Sequence, residues 1–223
     1  MFQKTHSLNW PIDDDKSQSV SSIVMKTLTM GQHREISKKH KGKETDLLRA
    51  CISKSTGLSL TEIKRLITPD FNSIQDQVLE LMNSTAQPLI EERIEREVEA
   101  LNETLQSLVS SEAPEHEIDK IRLRIAGTVY LPASPILLIR FMGDDGQDKR
   151  GYKLRPPTVA ITDLMEAHDG DWDRTLFISA SCTGFSRDEL ERMSLPDWNQ
   201  LQERLIDFLQ KPADFFRRET SKS

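Results

Sequence analysis

"STGLSLTEIKRLITPDFNSIQ", residues 55–75, decides how this chain is read. Alone it reads as a helix–turn–helix of the kind that docks on DNA. A second stretch, "CTGFSRDELERMSLPDWNQLQ", residues 182–202, changes that reading. With Thr56-Gly57 set over Thr183-Gly184, residues 56–82 align with 183–209 without a gap, and nine of the 27 positions are identical. Chance gives roughly two at average residue usage. Both stretches carry Ser-x-x-Glu, at Ser59/Glu62 and Ser186/Glu189. In such a capping box the Ser hydroxyl accepts from the backbone N–H three residues on, and the Glu returns the bond. Thr-Gly before each box ends one helix. Pro69-Asp70 and Pro196-Asp197 open the next, proline and an acid both suiting a first helical turn. Phe71, Ile74, Val78, Leu81 and Trp198, Leu201, Leu205, Phe208 then recur at spacing 3, 4, 3, one face of a helix.

Working outward, "MKTLTMG" (25–31) lies over "LRPPTVA" (154–160) at an offset of 129 rather than 127. The first copy therefore carries two extra residues in its basic loop "KKHKGKE". "DLLRACISKS" and "DRTLFISASC" predict another short helix before each Thr-Gly. "SLNWPI" and "SSIVMKTLT" flank the polar "DDDKSQSV", and "ILLIRFM" and "RGYKLR" flank "GDDGQDK". β-Branched and aromatic residues around Asp/Gly-rich connectors predict β-hairpins. Between the copies, Ile90, Ile94, Val98, Leu101, Leu105 and Leu108 form the stripe of an amphipathic helix of about six turns. It packs on its own chain or on a partner. "SSEAPEHE" breaks it. "KIRLRIAGTVYLP" alternates at Ile121, Leu123 and Ile125, which predicts a strand or a switch into strand, and the tail "RRETSKS" is expected to fray. The expected fold is α+β: two tandem units, each a β-hairpin followed by about three short helices, joined by a long amphipathic helix. The units are placed at 1–83 and 131–223, with the helical linker at 84–130.

Apolar residues with the 9 glycines make about 40% of the chain, against about 45–50% in globular domains. Small cores and long solvated helix faces are expected. The net charge is −6, which argues against a protein whose main task is to hold phosphate backbone. The halves differ: residues 25–82 carry 10 Lys/Arg against 7 Asp/Glu, residues 154–209 carry 5 against 11. The one basic patch, Lys38-Lys39-His40-Lys41-Gly42-Lys43, reads as a solvated loop. Cys51 and Cys182 have no metal-ligand spacing and read as buried free thiols of a reducing compartment. No apolar run approaches the ~20 residues that span a bilayer, and no apolar signal core opens the chain. A soluble, cytoplasmic protein is expected.

No catalytic constellation is found. The five histidines are scattered and read as solvated, and the sequence has no phosphate-binding glycine loop and no nucleophile elbow. Asp13-Asp14-Asp15 and Asp144-Asp145-Gly146-Gln147-Asp148 fall where hairpin turns are expected, which explains them without a metal. No enzyme, cofactor or metal is expected.

The repeated signature is a hairpin, Lys/Arg-x-x-Thr, a helix, "TG-[LF]-S-x-x-E-[IL]" and "PD-[FW]-x-x-[IL]". It resembles the phage tail assembly chaperone family of Mu-like and P2-like contractile-tailed phages. The second copy is the closer match, through "YKLRPPTVAITDLM", "CTGFSRDELERMSLPDW" and "LQERLIDFL"; the first lacks the Pro-Thr of "RPPT". The resemblance implies a non-catalytic assembly factor. It would bind the helical tape measure protein, hand it to the tail tube protein, act in the host cytoplasm and be absent from the mature virion. Self-association is left open; nucleic acid and membrane are not expected partners. Hiding a partner's apolar stripe needs apolar helix faces. The candidates are Ile90, Ile94, Val98, Leu101 and Leu105, with Phe215 and Phe216 beyond the Pro212 break, which either cap the second unit or bind. The rival readings are a helix-turn-helix DNA-binding regulator and a structural tail component. Against the first, Lys64 of one copy is Glu191 in the other, which would face phosphates badly.

Overall fold

The computed structural model describes residues 2–128 and 135–216. β1 (Gln3–Asp13) and β2 (Ser19–Lys26) form an antiparallel hairpin whose register shifts between Ser7 and Ile12. Pro11 has no N–H to give a ladder. The N–H groups of Asn9 and Trp10 instead donate to the carboxylate of Asp70, at 3.2 and 3.1 Å. Four helices follow: α1 (Met30–Lys39), α2 (Glu44–Thr56), α3 (Leu60–Arg65) and α4 (Thr68–Asn83). Thr29 and Gln32 form a capping box on α1. Gly57 closes α2 at φ +80°, a left-handed position that costs a residue without Cβ nothing. Then come α5 (Ala86–Ser110) and α6 (Glu115–Thr128), packed on each other.

The second half repeats the order of the first. β3 (Ile136–Met142) pairs antiparallel with β4 (Asp148–Gly151), and α7 (Val159–Glu166), α8 (Asp171–Thr183), α9 (Arg187–Arg192) and α10 (Leu195–Gln210) follow. The fold is α+β, with two separate two-stranded sheets among the described residues. Among the described residues each half holds four α-helices where about three were expected, because the Thr29 and Thr158 side chains cap a helix of their own. β4 stops at Gly151, earlier than the sequence suggested. The strand expected around residues 121–125 is helix α6. Ile118, Ile121 and Ile125 are half-buried, a spacing of 3 and 4, while Leu123 is 75% exposed, so the true period is helical. The last part of that strand reading, at 129–132, and the frayed tail at 217–223 lie outside the described residues.

The halves interlock. One core gathers Met25, Ile52, Ile74, Val78, Leu81 and Ile90, together with Leu138 from β3. The other gathers Leu176, Leu190, Met193, Leu201 and Leu205, together with Leu28, Met30 and Cys51 from the first half. Met82 packs against both. Full burial of each such side chain is worth about 1.5–3 kcal/mol. α1 packs on α9 of the other half as well as on α2 of its own. The Met30 N–H donates to the Met193 carbonyl and the Leu195 N–H to the Leu28 carbonyl, both at 2.9 Å. Ala86, Leu89 and Ile90 at the start of α5 are buried in the first core.

Candidate partner-binding surface

The repeated corner is a clamp between hairpin and helix. Ser59 and Glu62 form the capping box on α3, and Ser186 and Glu189 form it on α9. The Glu does more than cap. Glu62 also accepts from the Asp15 N–H at 2.9 Å, and Glu189 from the Asp144 N–H at 3.0 Å, both in hairpin turns. The Ser hydroxyls donate to the carboxylates of Asp15 and Asp144. Arg65 and Arg192 close the clamp, each binding the carbonyl of the strand's last residue, Asp13 or Met142, and the same Asp. Ser186 and Arg192 hold the Asp144 carboxyl below its usual range. The remaining turn carboxylates are also occupied: Asp14 accepts from the Lys16 and Gln18 N–H groups, and Asp145 from Gln147 and Lys149. Among the described residues no group of three or more His, Cys, Asp or Glu is placed to hold a metal ion.

With the corner committed to scaffold, the open surface lies elsewhere. A groove of about 990 Å³ runs between α1, α8 and α10, floored by Met30, Met82 and Trp198 and edged by Trp172 and Ile206. The Arg34 guanidinium stacks on Trp172 at 4.8 Å and pairs with Glu191 at 2.5 Å, so the wall is held in place. His33, Lys38 and Lys41 line the α1 side and Asp173 and Glu203 the other, giving an apolar floor between a basic and an acidic rim. Burial lowers the pKa of His33. Lys38 and Lys41 belong to the basic patch of the sequence, so part of that loop edges the groove.

The residues singled out in the sequence fall in three places. Ile90 and Leu101 are buried. Ile94, Val98 and Leu105 are half-buried on α5, the helix that α6 packs against. Phe215 and Phe216 sit in a 3-10 turn (Ala213–Phe216), 56% and 41% exposed, with Phe216 against Phe208 at 5.2 Å. The structure does not gather them into one site. Sequence reasoning missed the groove, because its walls come from segments more than a hundred residues apart. It also missed His6, read as solvated, whose ring is largely covered and lies 3.1 Å from Asp70. Cys51 and Cys182 are buried and unpaired, and burial pushes the Cys51 thiol up to about 11. No helix among the described residues is long and apolar enough to cross a membrane. α1 packs against α9, the corner helix of the second half.

Residues 142–210 match the family of phage tail assembly chaperone proteins, E, or 41 or 14. The match begins at the last residue of β3 and ends with α10, so it takes in β4 and α7–α10. It supports a role in tail assembly, and with it a non-enzymatic role and a tail protein as partner. No curated protein matches the chain. No solved structure matches it either.

Proposed function

We propose that this protein is a non-catalytic phage tail assembly chaperone that binds the tape measure protein and promotes tail tube assembly. The observation that carries the reading is the groove between α1, α8 and α10. Half of its lining comes from the segment matched by the family and half from α1 and the end of α4; it has an apolar floor and fits the apolar stripe of an amphipathic helix between charged rims. Ile206 and Leu209, 49% and 41% exposed on α10, extend the apolar surface, and Phe215 and Phe216 offer a further contact. The α5 stripe is a second place of capture, reached by displacing α6. Element order and caps common to both halves support two tandem, divergent copies of one chaperone unit, at 1–83 and 131–223, joined through 84–130. The protein acts in the host cytoplasm and is left out of the mature virion.

Co-expression tests this. The tape measure protein is expected to become soluble and to co-purify with this chain. Ile206→Glu, which puts a charge on the groove edge at an exposed position, is expected to lower the captured fraction while the variant stays folded. A tape measure protein that remains insoluble and is not retained overturns the reading. Mass spectrometry of purified particles is expected to lack this chain.

A further inference from the structure

The contact between the two halves is directional. It uses one end of the first half and a different end of the second. At this end the first half contributes α1 and the end of α4, and the second contributes α9 and the start of α10; β3 and α10 also meet α5. Arg34 of α1 pairs with Glu191 of α9. Asn199 at the start of α10 donates its side-chain amide to the Met82 and Ser84 carbonyls at the end of α4, at 2.9 and 3.1 Å. Leu28-Thr29-Met30 lies antiparallel to Met193-Ser194-Leu195 through a β-bridge between Thr29 and Ser194.

The corresponding ends on the other side of each half are open. By the alignment, Met30 and Arg34 of α1 become Val159 and Asp163 of α7, and Met82 at the end of α4 becomes Leu209 at the end of α10. Val159 is 78% exposed and Leu209 41%, whereas Met30 is buried. On the receiving side Glu191, Ser194 and Asn199 become Lys64, Ile67 and Asn72. Ile67 is 46% exposed where Ser194 is buried, and Leu60 on α3 is also exposed. The ion pair is reversed in sign but kept: Arg34 with Glu191 becomes Asp163 with Lys64. Among the described residues neither Asp163 nor Lys64 has an ion-pair partner, and both are exposed. The wider charge agrees, since residues 154–209 carry an excess of acids and residues 25–82 an excess of bases.

We propose that a second copy of this chain docks its α7 and the end of its α10 on α3 and the start of α4. The contact repeats, between chains, the one that joins the halves within a chain. It is heterologous, so successive copies either close into a ring or continue as an open array. Gly31 lets α1 seat close to α9, where an added Cβ would stand 3.0 Å from the Glu191 carbonyl. Ala160 takes that place in α7, which therefore seats a few tenths of an ångström further out. The contact goes beyond the capture of any tail protein and does not depend on it.

Sedimentation velocity on the full chain alone, over a range of concentrations, tests the proposal. The wild type is expected to exceed the 25.5 kDa monomer mass increasingly as concentration rises. Lys64→Glu and Asp163→Lys each turn attraction into repulsion and are expected to weaken association about tenfold. Each variant keeps its circular dichroism and unfolding midpoint, because both positions are exposed. Mixing the two variants is expected to restore association. In the mixture the two substituted positions meet with opposite charges, and so do the two unsubstituted ones. A wild type that stays monomeric at every concentration overturns the proposal. So does association that ignores both substitutions, or a mixture that fails to associate.

Discussion

Asp70 and Asp197 stand at the same place in the two halves, and their surroundings push them in opposite directions. Each sits in the first turn of the last helix and accepts two successive backbone N–H groups from a strand: Asn9 and Trp10 for Asp70, Leu138 and Ile139 for Asp197. Each thus ties a bulged hairpin to a helix start, where a negative charge is favoured. The third partner differs. Asp70 meets His6, whose counterpart is Pro135; Asp197 meets the Ser194 hydroxyl at 2.5 Å, whose counterpart is Ile67. Burial raises Asp70, but the Trp10 N–H, His6 and the Asn9 N–H outweigh it and leave its pKa below the ordinary value. Burial dominates at Asp197, and Ser194 and the two N–H groups offset it only in part, so its pKa rises from 3.8 to about 6. One hydrogen-bond design yields a lowered pKa in one half and a raised one in the other.

The largest expected effect tests whether the halves are separate. Ile74 and Leu201 are counterparts, one in each core, and both are 0% exposed. Ile74→Ala and Leu201→Ala are each expected to cost about 2–5 kcal/mol. Because Met82 belongs to both cores and α1 crosses between them, each variant is expected to show one urea transition for the whole chain, shifted to lower denaturant. Two separated transitions would show that the halves unfold independently.

The carboxylates come next. Asp70 has a lowered pKa, so the folded state binds its proton less tightly than the unfolded chain. Its contribution is present above the unfolded pKa and lost as pH falls through the folded one. Asp197 has a raised pKa, so its contribution is greatest at low pH and declines as pH rises from 3.8 to about 6. Asp70→Asn is therefore expected to destabilise at pH 7. Asp197→Asn is expected to destabilise less at pH 7 and to flatten the stability curve between those two values. Urea midpoints across pH check both; equal losses at pH 7 would erase the distinction.

Ser59→Ala and Ser186→Ala each remove a cap and a turn contact, and each is expected to cost about 1 kcal/mol. The clamps share no residue, so the double variant is expected to be additive. The smallest effect is at the seam. Arg34→Ala removes a partly exposed pair, and the expected loss is about 0.5 kcal/mol, shrinking as salt is added. A loss independent of salt would assign the role of Arg34 to its stacking on Trp172.

Much of each half was legible in the sequence alone. The Ser-x-x-Glu boxes, the Thr-Gly ends, the Pro-Asp starts and the 3, 4, 3 apolar spacing act over a few residues, and the helices stand where those signals put them. The α5 stripe was legible for the same reason, and α6 was mistaken because Ile121, Leu123 and Ile125 alternate on paper while a helix uses only two of them. Tertiary structure alone decided which surfaces meet. Arg34 finds Glu191 across 157 residues, α1 bridges from α2 to α9, Ile90 is taken into a core, and a groove opens between segments with no sequence sign of one another. Caps and apolar periods are local and fix elements. The docking of one half on the other rests on the fit of two surfaces, and no short stretch of chain contains both.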